Sequence, residues 1–575
     1  TGSTWMNNTT YDVNPSTCES YGGNRTLIGV SPASPSRVYL LSAPRITNGQ
    51  FCGLYLSTDS GASFTRQSNT PNVFGKNDDG MDDTDQSDYD IGLAVRPNLS
   101  STVFVAGCTV WKSTTSGTAW THSTSYRENQ GFPYIHPDVH CLAYNPLNSF
   151  LYAATDGGFY RSTDQGLNWS NFTNALETTQ FYHMSGWDGD VNKLMGGAQD
   201  NGIKYRDDNN SIFWHLVCCD GFETAFNPIT GQPRYCTYND GAYRFSNAGS
   251  HYDNINPSLQ YFKTLAVHNA DSNIVLIGAG DIFRSLNGGN FWLNKGAAGS
   301  WAMTSCPSNN TRFYAAGRSN YEPGSGGRIY FSSTTGDTWS DKTFSTGFPD
   351  TSTWTRISDV TVRPANSSYV YASFGGFSDG VKVVVSANTG DSWTNISDNL
   401  PNVPVNCLAI DNSNGIYAGT DIGVFYRGAT MPHWMLFSNG LPNTPVTDLV
   451  IFDNGTTKKI RASTYGRGIW ESNLAEACDA AIIVTGNMEG IRHYEASTSI
   501  TSTSIVQGGI GTFVSFQSGN YITLSEGFNV NQQSEFLGFI SPCGQGGIPT
   551  EQGDLAINRD DSTSSIILLR RIWNP

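Results

Sequence analysis

The sequence is poor in charged residues, and above all in basic ones. Lys and Arg number 33 against 49 Asp and Glu, so charged residues make up 14% of the 575 residues and the net charge is −16. A phosphate backbone needs a basic footprint, which argues against a nucleic-acid partner. Apolar runs such as 480–484 and 566–569 are far shorter than the roughly 20 residues of a membrane helix. We therefore expect a water-soluble chain without a membrane span.

The eleven cysteines contain no Cys-x-x-Cys pair, which disfavours a zinc cluster. Scattered cysteines in a Lys-poor chain are typical of an oxidising exterior and predict an extracellular or cell-surface protein. The adjacent Cys218 and Cys219 either form a vicinal disulfide or pair elsewhere. Thr1 is not followed by a charged and apolar leader, so we expect a mature or trimmed chain, and a missing signal does not argue against secretion.

Turn formers and aromatic residues are abundant, and one short pattern that contains both recurs. It consists of Ser, any residue, Asp or a small polar residue, any residue, Gly, two further residues and an aromatic residue. Six copies occupy residues 57–64, 113–120, 162–169, 285–292, 332–339 and 386–393. Their defining residues include Ser57, Asp59, Gly61, Ser162, Asp164, Gly166, Trp169, Trp292, Trp339 and Trp393. The pattern predicts a hairpin turn with a side-chain acceptor, a positive-φ glycine and an aromatic residue packed on the sheet.

About ten windows of strand and turn signals begin near residues 25, 90, 139, 181, 222, 261, 301, 356, 405 and 446. Four strands per window are typical of a propeller blade. We therefore predict an all-β fold, a single β-propeller of about ten blades. The last window is one strand short, and we expect the segment around Trp5 to supply that strand and close the ring.

The six turns resemble the Asp-box of bacterial-neuraminidase-type (BNR) repeats. Together with 196–202, 220–221 and 464–471, they resemble the sortilin-like propellers exported by the bacterial type IX secretion system. The same boxes are similar to those of xyloglucanase-type glycoside hydrolases. This resemblance implies a propeller fold, but boxes of this kind carry almost no information about function.

The pattern changes after Asn473 to short alternating strands with Gly or Ser between them, which predicts a small β-roll or solenoid. We assign residues 1–473 to the propeller, 474–543 to this module and 544–575 to a linker and terminal strand. Cys478 and Cys543 bracket the module and are a candidate disulfide.

In each blade, the box and the preceding Asp turn should lie at opposite ends of one strand. Five carboxylates then share the other face: Asp156, Asp200, Asp240, Asp281 and Asp421. They are either a ring that binds sugar hydroxyls or a cation, or simply good two-residue hairpin turns.

A catalytic pair should depart from the repeat, and glycoside hydrolysis needs two carboxyl groups, one of them an acid with a raised pKa. Asp220 and Glu223 are our first candidates and Asp138 the next. For each of these three residues, a structural role is the alternative to a catalytic one. A sialidase is disfavoured, because Glu is scarce in the propeller and no arginine motif is evident.

Metal ligands are predicted in the acidic run 78–90, where Asp79, Asp83, Asp85 and Asp88 could bind calcium. A solvated acidic loop is the alternative. His136 and His140 are spaced for a helical metal site, but the intervening proline argues against a helix. No other cofactor is predicted.

Two functions from different classes follow. The first is a secreted or surface-attached binding or adhesion protein that recognises a glycan or protein. The second is a glycoside hydrolase acting on polysaccharide. A structural subunit is a further alternative, since the strand at 564–569 could mediate an oligomer or filament by strand addition.

Overall fold

All described regular structure is β-strand. The computed structural model describes residues 25–43, 51–82, 86–128, 130–174, 176–208, 213–239, 241–246, 252–255, 264–296, 300–318, 327–350, 356–429, 431, 433–438, 440–475, 479–510, 512–540 and 566–570. Those ranges hold no helix, and hence none long and apolar enough to cross a membrane. The chain divides into two compact units, residues 1–178 and 179–575.

The first unit contains three four-stranded antiparallel sheets. The first sheet comprises β1 (Arg25–Val30), β2 (Val38–Ala43), β3 (Gly53–Ser57) and β4 (Thr65–Ser68); the second β5 (Gly92–Val95), β6 (Val103–Ala106), β7 (Val110–Ser113) and β8 (Thr121–His122); the third β9 (Val139–Tyr144), β10 (Leu151–Thr155), β11 (Gly158–Ser162) and β12 (Ser170–Asn171). The strands of each sheet follow one another in chain order, as in a propeller blade.

The second unit begins with seven further sheets of the same kind, the last of which has three strands. They comprise β13 (Phe181–Trp187), β14 (Asp190–Ala198), β15 (Gly202–Arg206) and β16 (Trp214–Val217); β17 (Gly221–Phe226), β18 (Arg234–Tyr238), β19 (Gly241–Phe245) and β20 (Tyr252–Asn254); β21 (Thr264–Val267), β22 (Val275–Ala279), β23 (Asp281–Ser285) and β24 (Leu293–Asn294); β25 (Ser300–Ser305), β26 (Phe313–Arg318), β27 (Gly327–Ser332) and β28 (Ser340–Asp341); β29 (Ile357–Arg363), β30 (Asn366–Phe374), β31 (Val383–Ser386) and β32 (Thr394–Asn395); β33 (Val405–Ile410), β34 (Ile416–Thr420), β35 (Gly423–Arg427) and β36 (Met435–Leu436); β37 (Val446–Asp453), β38 (Lys458–Thr464) and β39 (Ile469–Asn473).

These seven sheets form a closed ring. Their first strands, β13, β17, β21, β25, β29, β33 and β37, each contact the next, and β37 contacts β13. The Thr447 hydroxyl donates to the Phe181 carbonyl at 2.8 Å across this closing contact. The all-β propeller fold and the ten sheets are thus confirmed, but the single ring of ten is wrong. The closing contact depends on packing between strands that are far apart in the chain.

The six repeated turns share one hydrogen-bond pattern. In each, the serine hydroxyl accepts the backbone N–H of the glycine four residues later at 2.8–3.0 Å. That glycine has φ between 72° and 92°, a region that L side chains rarely adopt. In the third sheet, Ser162 caps Gly166, Asp164 accepts the Asn168 N–H at 2.9 Å, and Trp169 packs against the core. The turns follow the third strand of each sheet and lie at the end opposite the start of the first strand.

The apolar core lies between neighbouring sheets. One cluster, for example, joins Tyr314 and Ile329 of one sheet to Val360 and Ala372 of the next, and Trp393 of a repeated turn packs against it. Burial of such side chains contributes about 25 cal/mol per Å² of apolar surface. The packing between sheets therefore holds the ring together and fixes the position of its innermost strands.

The second unit ends in a parallel solenoid, consistent with the predicted module. Its strands are β40 (Ala481–Val484), β41 (Asn487–Met488), β42 (Ile491–Ala496), β43 (Ser499–Ser502), β44 (Ile505–Val506), β45 (Phe513–Ser518), β46 (Tyr521–Leu524), β47 (Asn529–Val530), β48 (Glu535–Ile540) and β49 (Ile566–Arg570). They stack in three parallel ladders around a core that includes Ile500 and Phe516. The predicted terminal strand is β49, and it pairs with β48 of the same chain.

Two sequence predictions lie outside the described residues: the closing strand around Trp5, and the candidate disulfide of Cys478 with Cys543. Elsewhere, Cys52 forms a disulfide, whereas Cys218 and Cys219 carry free thiols and form no vicinal bridge.

Candidate functional site

A β-bulge recurs in the innermost strands of the ring. The register shifts near the start of β13, β17, β25, β29, β33 and β37. A bulge inserts a residue and re-aims the side chains that follow it, and bulges are frequent beside functional sites. The bulged or following residues include His183, Glu223, Asp359, Cys407 and Asp448. The repeated backbone thus brings ionisable side chains from different sheets toward the axis of the ring.

Three of these side chains meet in one cluster. His183 Nδ1 lies 3.8 Å from Glu223 Oε2 and 3.7 Å from Asp448 Oδ2. One donor atom from each residue lies within 4.8 Å of the others. The side chains are 40%, 15% and 20% exposed for His183, Glu223 and Asp448, so solvent reaches them. We call His183, Glu223 and Asp448 the axial cluster.

Two members of the axial cluster, Glu223 and His183, have raised pKa values. Burial raises the pKa of Glu223 to about 7, against the opposing effect of His183, while Asp448 adds to the increase. Burial by itself would lower the pKa of His183, but the nearby carboxyl groups of Glu223 and Asp448 raise it to about 9. Near neutral pH the imidazole of His183 is therefore cationic, and Glu223 is protonated in only part of the molecules.

Asp359 and Asp448 accept hydrogen bonds from equivalent backbone N–H groups: that of the following residue and that of a residue in the neighbouring sheet. Asp448 accepts the N–H of the following Leu449 at 2.8 Å and that of Met184 in the neighbouring sheet at 2.9 Å. Asp359 accepts the N–H of Val360 at 2.7 Å and that of Leu408 in its neighbouring sheet at 2.8 Å. Burial nevertheless raises the pKa of Asp359 to about 6. Both carboxylates therefore also link adjacent sheets.

Three aromatic rings cluster near the starts of β13 and β17. Tyr182 and Phe222 directly precede His183 and Glu223, and their ring centroids are 5.3 Å apart. Tyr465, in the turn between β38 and β39, has its ring centroid 5.9 Å from that of Tyr182 and hydrogen-bonds Gln199. The half-buried rings form a surface on which a flat apolar face such as that of a sugar can pack. We call Tyr182, Phe222 and Tyr465 the aromatic platform.

Of the predicted catalytic residues, Glu223 belongs to the axial cluster and Asp220 does not. Asp220 Oδ1 accepts the backbone N–H of Asp200 at 2.9 Å, and its own N–H donates to Asn239 at 3.0 Å. Its carboxylate therefore caps the turn that contains Asp200. The same contact places Asp200, one of the predicted face residues, beside Asp220.

Asp138 lies in the first unit, at the position equivalent to Asp220. Its carbonyl accepts the N–H of Asp156 at 3.2 Å, as the Asp220 carbonyl accepts that of Asn239 at 2.9 Å. Asp138 has a φ of 64°, and burial and Asp156 raise its pKa. Its carboxylate lies beside Asp90 and Cys108.

The remaining predicted face residues do not converge. Asp156 Oδ1 lies 2.6 Å from His140 Nε2, and this contact raises the pKa of His140. In the second unit, Asp281 accepts Asn294 at 2.8 Å and Asp421 accepts Asn406 at 2.9 Å. Asp240 lies outside the described residues. Asp156, Asp281 and Asp421 each contact a side chain of another strand in their own sheet.

The four predicted calcium ligands are not shown together. Asp83 and Asp85 lie outside the described residues. Asp79 accepts the N–H of Met81 at 3.0 Å, and the carbonyl of Asp88 accepts Arg25. His136 and His140 share no candidate metal cluster among the described residues. The donor set of the axial cluster could itself hold a divalent cation.

Sequence reasoning missed His183 and Asp448. The available signal was the alignment of the first strands, in which His183, Asp359 and Asp448 occupy the same position after the bulge. Such a polar residue in an otherwise apolar strand marks the axis of the ring.

Comparison with known proteins identifies solved structures only. No family model and no curated protein matches the chain. Solved structures with overall similarity include a GH74 enzyme of Niastella koreensis (14% identity, 78% of this chain and 83% of that chain, TM-score 0.29) and an ancestral GH74 enzyme (14%, 78% and 76%, 0.31). A third is the GH74 xyloglucanase of Xanthomonas campestris (13%, 78% and 84%, 0.22). At these TM-scores the likeness carries no functional argument.

Proposed function

We propose that this protein is a glycoside hydrolase whose reaction takes place at the axial cluster, with Glu223 as the general acid. The observation that carries the proposal is that a carboxyl group with its pKa raised to about 7 lies beside a second carboxyl group. The rings of Tyr182 and Phe222, which directly precede His183 and Glu223 in the chain, pack on each other.

Glu223 meets the requirement for the acid. A glycosidic oxygen leaves only when it is protonated, and the best catalytic acid has a pKa near the working pH. Burial keeps a proton on Glu223 in a large fraction of molecules at pH 7. After the proton is transferred, the imidazolium of His183, 3.8 Å away, stabilises the Glu223 carboxylate.

Asp448 supplies the second carboxylate. Its nearest donor atom is within 4.8 Å of that of Glu223, comparable with the roughly 5 Å separation of retaining enzymes. In the proposed reaction Asp448 attacks the anomeric carbon or stabilises its positive charge. His183, between the two carboxylates, fixes their orientation.

The partial burial of the axial cluster favours small substrates. Side chains that are 15–40% exposed can be reached by the end of a glycan more readily than by the middle of a polymer. Tyr182 and Phe222 would stack against the terminal sugar. The proposed substrate is therefore a glycan end or a short oligosaccharide.

An extracellular site of action fits the cysteine chemistry. Cys52 is oxidised to a disulfide, and such bonds persist in oxidising compartments. We propose that the enzyme acts outside the cell or at its surface.

Glycan binding without hydrolysis is the second candidate. Both oxygens of Asp448 accept backbone N–H groups, which favours a structural role for this carboxylate. In that case the aromatic platform would recognise the glycan, and the axial cluster would only hold the ring together.

The test is release of reducing ends from a panel of neutral and acidic oligosaccharides and polysaccharides by the whole chain. Glu223→Gln preserves the shape of the side chain and removes the acid. The exposed Glu526 of the solenoid provides a matched control, Glu526→Gln. Release that only Glu223→Gln abolishes supports hydrolysis. Retention on the same panel without release supports glycan binding. If the chain neither releases reducing ends nor is retained on the panel, both candidates are contradicted.

A further inference from the structure

Three side chains of the first unit converge at the end of the sheets where their first strands begin. Asp90 lies just before β5, Cys108 in the turn between β6 and β7, and Asp138 just before β9. One carboxylate oxygen of each aspartate and the Cys108 Sγ all lie within 4.8 Å of one another. The Asp138 N–H donates to the Cys108 carbonyl at 3.2 Å, so the backbone holds two of the three residues together.

Asp90 is buried without adequate compensation for its charge. The residue is 0% exposed, and its Oδ1 is buried with no hydrogen-bond partner. Its other oxygen accepts only a long 3.4 Å hydrogen bond from Gln86 Nε2. A buried carboxylate oxygen with no donor is costly unless a cation or a proton is bound to it.

The groups around Asp90 do not supply that compensation. Gln86 Nε2 also donates to Asp138 Oδ1, so one neutral amide is shared between two carboxylates. Within the described part of the chain, no Lys or Arg forms an ion pair with Asp90 or Asp138. The other titratable groups nearby are Lys76, His136, His140 and Asp156.

We propose that Asp90, Cys108 and Asp138 bind a zinc ion. A thiolate and two carboxylates form the mixed sulfur and oxygen donor set that suits Zn²⁺, whereas Ca²⁺ takes oxygen ligands only. On binding, the Cys108 thiol loses its proton to solvent as the Zn–S bond forms. The buried carboxylate of Asp90 gains a charged partner, and a fourth position is left for water.

The site departs from the sequence prediction in both ligands and metal. Only the last residue of the acidic run takes part, and the other two ligands come from separate turns. A donor set assembled from the second and third sheets also links these sheets, so zinc should stabilise the first unit as well as bind to it.

The test uses the whole chain after removal of metal by a chelator. Co²⁺ replaces Zn²⁺ as a spectroscopic probe, because a cobalt–thiolate bond gives a charge-transfer absorption that oxygen and nitrogen ligands do not. We expect this absorption in the unmodified chain and in Cys141→Ser, which changes an exposed free cysteine of the same unit. It should be absent from Cys108→Ser, and zinc should displace the cobalt.

The second part of the test measures the affinity for zinc. Asp90→Asn should weaken zinc binding at least ten-fold in calorimetric titration, whereas His183→Ala, which alters the axial cluster, should leave the cobalt–thiolate absorption unchanged. Circular dichroism of each variant monitors folding. Absence of the absorption in the unmodified chain, its persistence in Cys108→Ser, or stabilisation by Ca²⁺ but not Zn²⁺ would each overturn the proposal.

Discussion

Asp448 Oδ2 accepts the backbone N–H of Met184 at 2.9 Å and so links residues 264 positions apart. This hydrogen bond connects the last sheet of the ring to the first. Asp359 makes the equivalent bond to Leu408 between two neighbouring sheets. A carboxylate in the innermost strand therefore joins two sheets wherever it follows the bulge in this way.

Replacement of Asp448 by Ala should destabilise the second unit. The N–H groups of Met184 and Leu449 would lose a charged acceptor, at a cost of about 1–3 kcal/mol. Denaturant unfolding measures the change, with Asp479→Ala as an exposed control. Equal stability of the two variants would show that the ring closes without this link.

The hydrolytic rate should fall as the pH rises above about 7. Glu223 has its pKa raised to about 7, so the proton needed by the leaving group is progressively lost above that value. The measurement is kcat/KM as a function of pH on whichever glycan is cleaved. Glu223→Gln should reduce the rate by ~10²-fold or more. A profile that stays flat to pH 9 would assign the acid to another group.

Tyr182→Ala should weaken glycan binding by about 0.5–1.5 kcal/mol, the contribution of an aromatic contact beyond its area. Tyr182→Phe should retain most of the affinity, because the ring and its packing on Phe222 remain. Equilibrium binding of each Tyr182 variant to the glycan that retains the unmodified chain distinguishes the two variants. If the alanine variant binds as tightly as the unmodified chain, the platform is not the glycan surface.

Stability should decrease as the pH rises from 4.5 to 9. The folded-state pKa of Glu223, about 7, lies above its ordinary 4.5, and that of His183, about 9, lies above 6.5. A raised pKa contributes stability that is present below the ordinary value and lost as pH rises through the folded value. Glu223→Gln should flatten the dependence between pH 4.5 and 7, and His183→Gln that between 6.5 and 9. Urea unfolding across this range provides the measurement, and variants with unchanged profiles would contradict the assignment.

Ser162→Ala should destabilise the first unit by about 1 kcal/mol, because the Gly166 N–H loses its acceptor inside the turn. The exposed Ser170 in the adjacent strand offers a control, Ser170→Ala. Thermal unfolding measures both. A larger effect of the control would mean that the turn does not depend on its serine.

The sheets could be predicted from the sequence because their signals are local. Each repeated turn contains its own donor, acceptor and glycine within eight residues, and the predicted start near residue 139 coincides with β9. The number of sheets in the ring could not be predicted in this way. It depends on whether β37 packs against β13 or against another strand, and no local pattern records that choice.

The axial cluster was only partly predictable for the same reason. Glu223 stood out because it departs from the repeat, yet its partners His183 and Asp448 lie in other sheets and meet it only when the ring closes. Asp220 departs from the repeat just as clearly, but its carboxylate caps the neighbouring turn. Sequence position identified unusual carboxylates without distinguishing these two roles.

The third position of the repeated turn has a consequence for how such turns are recognised. It is Asp in two copies (Asp59 and Asp164), Asn in two (Asn287 and Asn388) and Thr in two (Thr115 and Thr334). In all six its side-chain oxygen accepts the N–H four residues later at 2.9–3.0 Å. The turn thus requires an oxygen atom at a given place rather than a negative charge. All three residue types therefore serve at this position within one chain, and a search pattern restricted to aspartate would miss four of the six copies.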